Sequence, residues 1–308
     1  MALSSEGSKT AVRVALLRAF HAENDEPKIF NDYLAAKLIT PNERAEFENV
    51  VIAALGEIRP EIDVSSLSPV SCTREGLRAT TTQELMIARP RFTEDHLLDC
   101  VECGLAQYVI LGAGLDTFAL RRADLQDQLT VFEIDHPATQ KFKRARLAAA
   151  GLACPPNLHF LPADFERESV FDVLQRSSYR SDRAAFFSWA GVTYYLASET
   201  VCEVFRSIRR AAAPGSRVAF DYIDLDAFDP FKASSRIRVV MERVKQFGEP
   251  MITGFEPKGL PTMLAGLGFR IVEALGPEEQ LKRYFSGRTD GLRAPEHFHL
   301  VLAEPALL

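Results

Sequence analysis

Two glycines behind an apolar stretch, followed about twenty residues later by a carboxylate, are the residues of this chain whose types and spacing could do chemistry. Residues 108–122 read YVILGAGLDTFALRR, and residues 131–137 read VFEIDHP. A strand running into Gly112-Ala113-Gly114 permits a tight turn and a close approach of backbone to ligand. Asp135, at the tip of the next strand, can accept hydrogen bonds from both hydroxyls of a ribose. This layout suits an adenosine-bearing molecule, and the residues after the glycines discriminate between such molecules. A dinucleotide fingerprint has a third glycine beneath the pyrophosphate, whereas here the chain continues Leu115-Asp116-Thr117-Phe118. A carboxylate at Asp116 repels a diphosphate and favours a sulfonium. The residues therefore point to S-adenosylmethionine rather than NAD.

The elements that must hold these residues alternate between strand and helix. Strands are expected at 108–111, 130–134, 159–161, 184–189 and 217–222, with helices at 137–150, 169–176 and 198–213 between them. Such alternation predicts an α/β fold, a parallel sheet with helices on both faces and ligands at the carboxyl ends of the strands. Upstream, 8–21, 28–39 and 41–58 show helical spacing, with Asn31 or Thr40 as caps. Residues 62–78, with Pro69, Gly76 and many serines, predict a loop, and 82–103 a helix leading into the sheet. After the fifth strand, 224–257 is rich in aromatic and basic residues and predicts a substrate lid. A helix at 257–267 and strands at 270–274 and 296–302 complete the chain. The expected division is a single domain over 1–308, with a helical cap at 1–80, a cofactor-binding core at 81–223, the lid at 224–257 and the last part of the core sheet at 258–308.

Several motifs in this order resemble a known family. LGAGLDT, FEIDHP with the basic TQKFKRARL after it, PADF at 162–165 and FFSWAGVTYYL at 186–196 are similar to those of the leucine carboxyl methyltransferase family, and specifically of its bacterial O-methyltransferase branch. The segment SKTAVRVALLRAFHAENDEPKIFNDYLA is similar to the N-terminal part of bacterial members, so the resemblance spans roughly residues 8 to 222. It implies a class I methyltransferase fold, Rossmann-like, with a mostly parallel sheet and an antiparallel last strand. It also implies an S-adenosylmethionine-dependent O-methyltransferase acting on a small-molecule carboxylate or hydroxyl. Gly112 and Gly114 are expected near the methionine part of the cofactor, with Asp116 near its sulfonium by charge; by the same resemblance Asp135 holds the ribose, and Asp164 and Phe165 hold the adenine. Arg89, with Arg91 as its close competitor, pairs with the cofactor's carboxylate, and Lys9 and Arg18 reach the site from the N-terminal helix. Glu133 is read as structural support and Trp189 as a residue of the cofactor pocket. Ala190 stands where carboxyl methyltransferases of the family carry a glutamate, which points to a different substrate or a different grip on the cofactor.

Methyl transfer from a sulfonium is an in-line displacement, so most of what the protein supplies is alignment. A carboxylate acceptor needs no base, whereas a phenol or alcohol benefits from one. Tyr194, Tyr222 and His297 are the candidates for that role, with Asp221 and His299 near them. Tyr194, Tyr195, Tyr222 and Arg238 are the expected substrate contacts, and Trp189, Phe228, Phe231 and Phe247 could add apolar lining. The alternatives are a nicotinamide-dependent oxidoreductase and a cofactor-binding protein without catalysis, for which Ala190 is the hint.

Composition narrows the remaining classes. The 308 residues are 47% hydrophobic and 25% charged, ordinary for a globular enzyme. A net charge of −6 and a sequence pI near 5.6 argue against nucleic acid as partner. The basic run Lys141–Arg146 is read as the solvated face of a helix. Five cysteines in scattered positions predict no disulfide framework, and Cys100 and Cys103 are read as core filling rather than half a metal site. No apolar run reaches membrane-spanning length and no signal-peptide pattern opens the chain, so a cytoplasmic protein is expected.

Overall fold

The computed structural model describes residues 9–165, 167–246 and 248–306. Its helices are α1 (Lys9–Asn24), α2 (Pro41–Ile58), α3 (Pro69–Thr80), α4 (Gln83–Glu102), α5 (Phe118–Arg121), α6 (Pro137–Ala149), α7 (Val170–Gln175), α8 (Ser198–Ala211), α9 (Ser235–Gln246), α10 (Leu260–Gly266) and α11 (Pro277–Gln280). Its strands are β1 (Gln107–Leu111), β2 (Thr130–Asp135), β3 (Leu158–Pro162), β4 (Phe186–Trp189), β5 (Arg217–Ile223), β6 (Phe269–Leu275) and β7 (Phe298–Pro305). They form one sheet in the order β3-β2-β1-β4-β5-β7-β6, parallel except for β7, which runs antiparallel to both β5 and β6. This is the expected fold class, and all seven strands lie at or beside their expected positions.

Alternation along each strand divides the core between the two sheet faces. Tyr108, Ile110 and Phe186 face a cluster that includes Leu17 and Phe20 of α1 and Leu85 and Phe92 of α4. Val109, Leu111, Phe187 and Trp189 face the other way, onto α7, α8 and α10. Chain order sends β2 and β3 to one side of β1 and β4 to the other, so a crevice opens above the carboxyl ends of β1 and β4.

Two readings of the N-terminal region are corrected, and one of two candidate caps is borne out. Residues 28–39 do not form a helix; only Ala35–Leu38 makes a 3-10 turn. Side chains take up the backbone donors there, with His21 Nε2 accepting from Ile29 N–H and Asp32 Oδ1 from Ala35 N–H. Thr40, not Asn31, caps a helix, in a reciprocal pair with Glu43 at the start of α2. The stretch expected as a loop carries α3, begun by Ser68, whose hydroxyl accepts from Ser71 N–H, with Pro69 in the first turn.

Gly76 lies within that helix because α2 crosses it there. A Cβ at this position would stand 2.6 Å from the Val51 carbonyl oxygen. Gly76→Ala should therefore destabilise the fold by about 1–3 kcal/mol through overpacking, although alanine gains about 1 kcal/mol in helix propensity. Urea denaturation would measure this, and a stabilised variant would show that the two helices can part at no cost.

Among the described residues no helix is long and apolar enough to cross a membrane. In the basic run Lys141 and Arg144 are exposed as expected, but Lys143 is buried, and its Nζ donates to Glu133 at 2.6 Å. Burial pushes the Glu133 carboxyl up to about 7 despite this partner. Cys103 is exposed and Cys100 half-buried at the edge of the core, so neither is a fully enclosed core residue.

Candidate active site

The crevice holds a cavity of about 270 Å³, built from the turns that follow β1 to β4 and roofed by α1. After β1 the chain turns through Gly112 (φ 71°) and Gly114 (φ 52°), a backbone region that side chains resist. A Cβ on Gly112 would stand 2.8 Å from Val192 Cγ2, so the turn is also tight in space. The Gly114 N–H donates to Asp135 Oδ2 at 2.6 Å, and the His136 N–H donates to Oδ1 at 2.7 Å. Asp135 thus sits at the tip of β2 as a carboxylate anchored by backbone. Burial pushes its carboxyl above the usual range, and the two N–H donors pull it partly back.

Asp116 caps the next turn, its Oδ1 accepting from Phe118 N–H at 2.7 Å, and it lines the cavity. Asp164 and Phe165 line it from the end of β3. Arg89 reaches it from α4, placing Nη1 3.2 Å from the Tyr194 hydroxyl and 3.4 Å from Asp221 Oδ2. Gly191 (φ 77°) leaves room for that guanidinium, since a Cβ there would be 2.5 Å from Nη1. Arg91, the competitor, instead pairs with Asp95 on the outer face of α4. Arg18 lines the cavity from α1, donating from Nε to Asp32 at 2.8 Å and from Nη2 to the Leu115 carbonyl at 2.8 Å. Lys9 is exposed and does not line it.

Other expected site residues lie elsewhere. Trp189 is fully buried against Phe205 on the opposite sheet face, because alternation turns Ser188 and Ala190 toward the cavity and Trp189 away. Tyr222 faces the same opposite side, stacked on His299 at 4.7 Å. His297 precedes β7 rather than lying in it, with φ 66°, and shares Asp224 with His299; none of the three lines the cavity. Its pKa is raised by the Asp224 hydrogen bond. Tyr194 is buried behind Arg89, while Tyr195 faces the cavity. Arg238 is exposed on α9, Phe231 is 96% exposed, and Phe228 also meets solvent; Phe247 falls outside the described residues.

Two contributors have no local signal in the sequence. Thr10, in the first turn of α1, donates to Glu249, which follows α9, and both line the cavity. Their partnership spans 239 positions of sequence.

Among the described lining residues, five carboxylates (Glu94, Asp116, Asp135, Asp164, Glu249) stand against two guanidiniums (Arg18, Arg89). Glu94 is tied to Arg121. This balance suits a ligand with a positive centre and opposes a diphosphate. A glycine turn that admits backbone contact, a carboxylate for paired hydroxyls and an aromatic beside Asp164 fit an adenosine compound bearing a sulfonium.

Comparison with known proteins shows the family and the fold. Residues 11–209 match the family described as leucine carboxyl methyltransferase. YktD of Bacillus subtilis, provisionally named an S-adenosyl-L-methionine-dependent methyltransferase, is 33% identical over 97% of this chain and 98% of its own. A similarly named protein of Mycobacterium avium is 27% identical over 95% of this chain and 92% of its own. Among solved structures, a protein of Thermobifida fusca provisionally named a methyltransferase shares the fold with a TM-score of 0.58 and 17% identity, covering 98% of this chain and 96% of its own. A DUF574-family protein of Streptomyces avermitilis does so with a TM-score of 0.59 and 14% identity, covering 98% of each chain. With the motifs in order, the family match and a relative aligned over nearly its whole length, this chain belongs to the leucine carboxyl methyltransferase family.

Proposed function

We propose that this S-adenosylmethionine-dependent methyltransferase moves the methyl group in line onto an oxygen of a small molecule, with Asp135 on the donor's ribose and Arg89 on its carboxylate. The observation that carries the reading is the acid-rich cavity at the carboxyl ends of β1 to β4, with Gly112, Gly114 and Asp135 joined in one turn. S-adenosylmethionine supplies a methyl group already activated by the positive sulfur. What remains for the chain is to hold two reactants in register and exclude water, which can lower a barrier by up to ~7–11 kcal/mol when alignment is ideal. The Gly112–Gly114 turn brings backbone N–H groups close to the donor. The helical segment of residues 9–80 serves as a cap over it, and the segment 224–257 as a lid that contributes Glu249. Asp164 and Phe165 accept the adenine, the carboxylate from its amino group and the ring by stacking.

Calorimetry with S-adenosylmethionine, S-adenosylhomocysteine and NAD tests the donor, and a donor with an isotopically chiral methyl group tests the geometry. Micromolar binding of the first two without NAD, and inversion at the methyl carbon, are expected. Retention of configuration would remove the direct displacement, and NAD binding alone would remove the donor.

A further inference from the structure

The donor reading accounts for one end of the cavity, where Gly112, Gly114, Asp135 and Asp164 gather. The other end lies beyond β4 and under α1. Tyr195 and Leu196 of the turn after β4, Thr10 and Val14 of α1 and Glu249 from the segment after α9 line it, while Val192 and Ala11 stand against Gly112 and Gly114 between the two ends. Glu249 is the carboxylate among the described lining residues at this end, where Arg89 also acts on the Tyr195 phenol. The two lining guanidiniums are engaged elsewhere, Arg18 with Asp32 and the Leu115 carbonyl, and Arg89 with Tyr194 and Asp221. Arg13 of α1 stands in the field of Glu249, Glu46 and Tyr195 but does not line the cavity. A carboxylate acceptor placed here would face an anion with no lining cation of its own. A hydroxyl would instead find a group able to take its proton.

Elimination leads to the same residue. Burial, with Glu249 nearby, holds the Tyr195 phenol far above its ordinary range, so Tyr195 stays protonated and does not serve as the base. Tyr108 is protonated for the same reason of burial. His136 uses Nδ1 to accept from Ala138 N–H at the start of α6, at the donor's end. Glu94 is bound to Arg121, and Asp116 accepts from Phe118 N–H. The hydrogen bond from Thr10 orients the Glu249 carboxylate across the cavity mouth.

We propose that the acceptor is a phenol or alcohol and that Glu249 is the general base that removes its proton. This rests on the methyltransferase reading above. As the acceptor oxygen forms its bond to the methyl carbon, the carbon–sulfur bond breaks and its electron pair stays on sulfur. The hydroxyl proton passes to the Glu249 carboxylate and from there to solvent, which leaves a neutral ether and a neutral thioether.

The full chain saturated with S-adenosylhomocysteine should bind phenol and 4-methylphenol in a calorimetric titration, and bind benzoate and 4-methylbenzoate more weakly. With S-adenosylmethionine, release of S-adenosylhomocysteine on the phenols should fall about 100-fold or more in Glu249→Gln, within the ~10²–10⁴ that positioned bases supply. The acid limb of kcat/KM against pH should vanish in that variant, and affinity for S-adenosylmethionine should stay close to wild type. Glu249→Asp should recover part of the rate, which guards against misfolding as the cause of the loss. Thr10→Val removes the orienting bond but not the base, so it should keep the acid limb. Benzoates bound or methylated in preference to phenols, phenols left unmethylated, or a Glu249→Gln rate within tenfold of wild type would overturn the assignment and leave the donor reading standing. Failure of the wild type to bind S-adenosylmethionine would overturn both.

Discussion

Asp135→Ala should reduce S-adenosylmethionine affinity by about 100-fold or more. A hydrogen bond to a charged group contributes about 1.5–3 kcal/mol, and this carboxylate would receive two from the ribose. The substitution also frees the N–H groups of Gly114 and His136, so the glycine turn loses the anchor that joins β1 to β2. The effect should depend on pH in the wild type. Burial raises the Asp135 carboxyl in the free protein, and hydroxyl donors favour its charged form, so binding pulls the pKa back down. Affinity should therefore rise as pH increases through the free protein's Asp135 pKa and level off above it. Protons should be released on binding in that window. Calorimetry in two buffers of different ionisation enthalpy measures that release directly, and a loss of less than fivefold in Asp135→Ala would remove this residue from the donor site.

Arg89→Met should act on both stability and donor binding. The guanidinium is buried beside an Asp221 carboxylate with no solvent exposure, and the Gly191 N–H donates to the other oxygen of that carboxylate at 2.6 Å. Burial pushes the Asp221 carboxyl up, and Arg89 is the main force holding it down. Removing the cation strands a buried acid, which typically costs about 3–5 kcal/mol. Asp221 then takes up a proton more readily, so the variant's deficit should shrink as the pH is lowered. Adding Asp221→Asn should recover much of the stability by removing the stranded charge. It should not recover affinity for S-adenosylmethionine, because the cation for the donor's carboxylate is still missing. Urea midpoints and calorimetry on the single and double variants separate the two roles, and full affinity in the double variant would make Arg89 purely structural.

The corrections within the sheet share one cause. A strand's period of two is visible in sequence, but which face looks into a crevice depends on sheet pairing, and a one-residue difference reverses it. Ser188 and Trp189 are adjacent, yet one lines the cavity and the other fills the core under α8. In β5, likewise, Asp221 faces Arg89 while Tyr222 stacks on His299. The helix α3 was missed for a related reason: serine and glycine read as loop residues until α2 supplies a neighbour close enough to require Gly76.

By itself the sequence determined the features set by local rules. Strands ending in Gly112-Ala113-Gly114, in Asp135 and in Asp164 are short-range patterns, and glycine turns and strand-tip carboxylates keep their meaning in any α/β sheet with this chain order. Fold class and the glycine turn joined to Asp135 were therefore legible from residue types and spacing, and the family from the resemblance of several motifs in order. Only the tertiary structure decided which residues meet at the end of the cavity lined by Tyr195 and Glu249. Glu249 is brought to Thr10 across 239 positions, through a sheet, a cap and an insertion. No periodicity records such a contact, because it depends on how separate elements pack rather than on the preferences of either segment.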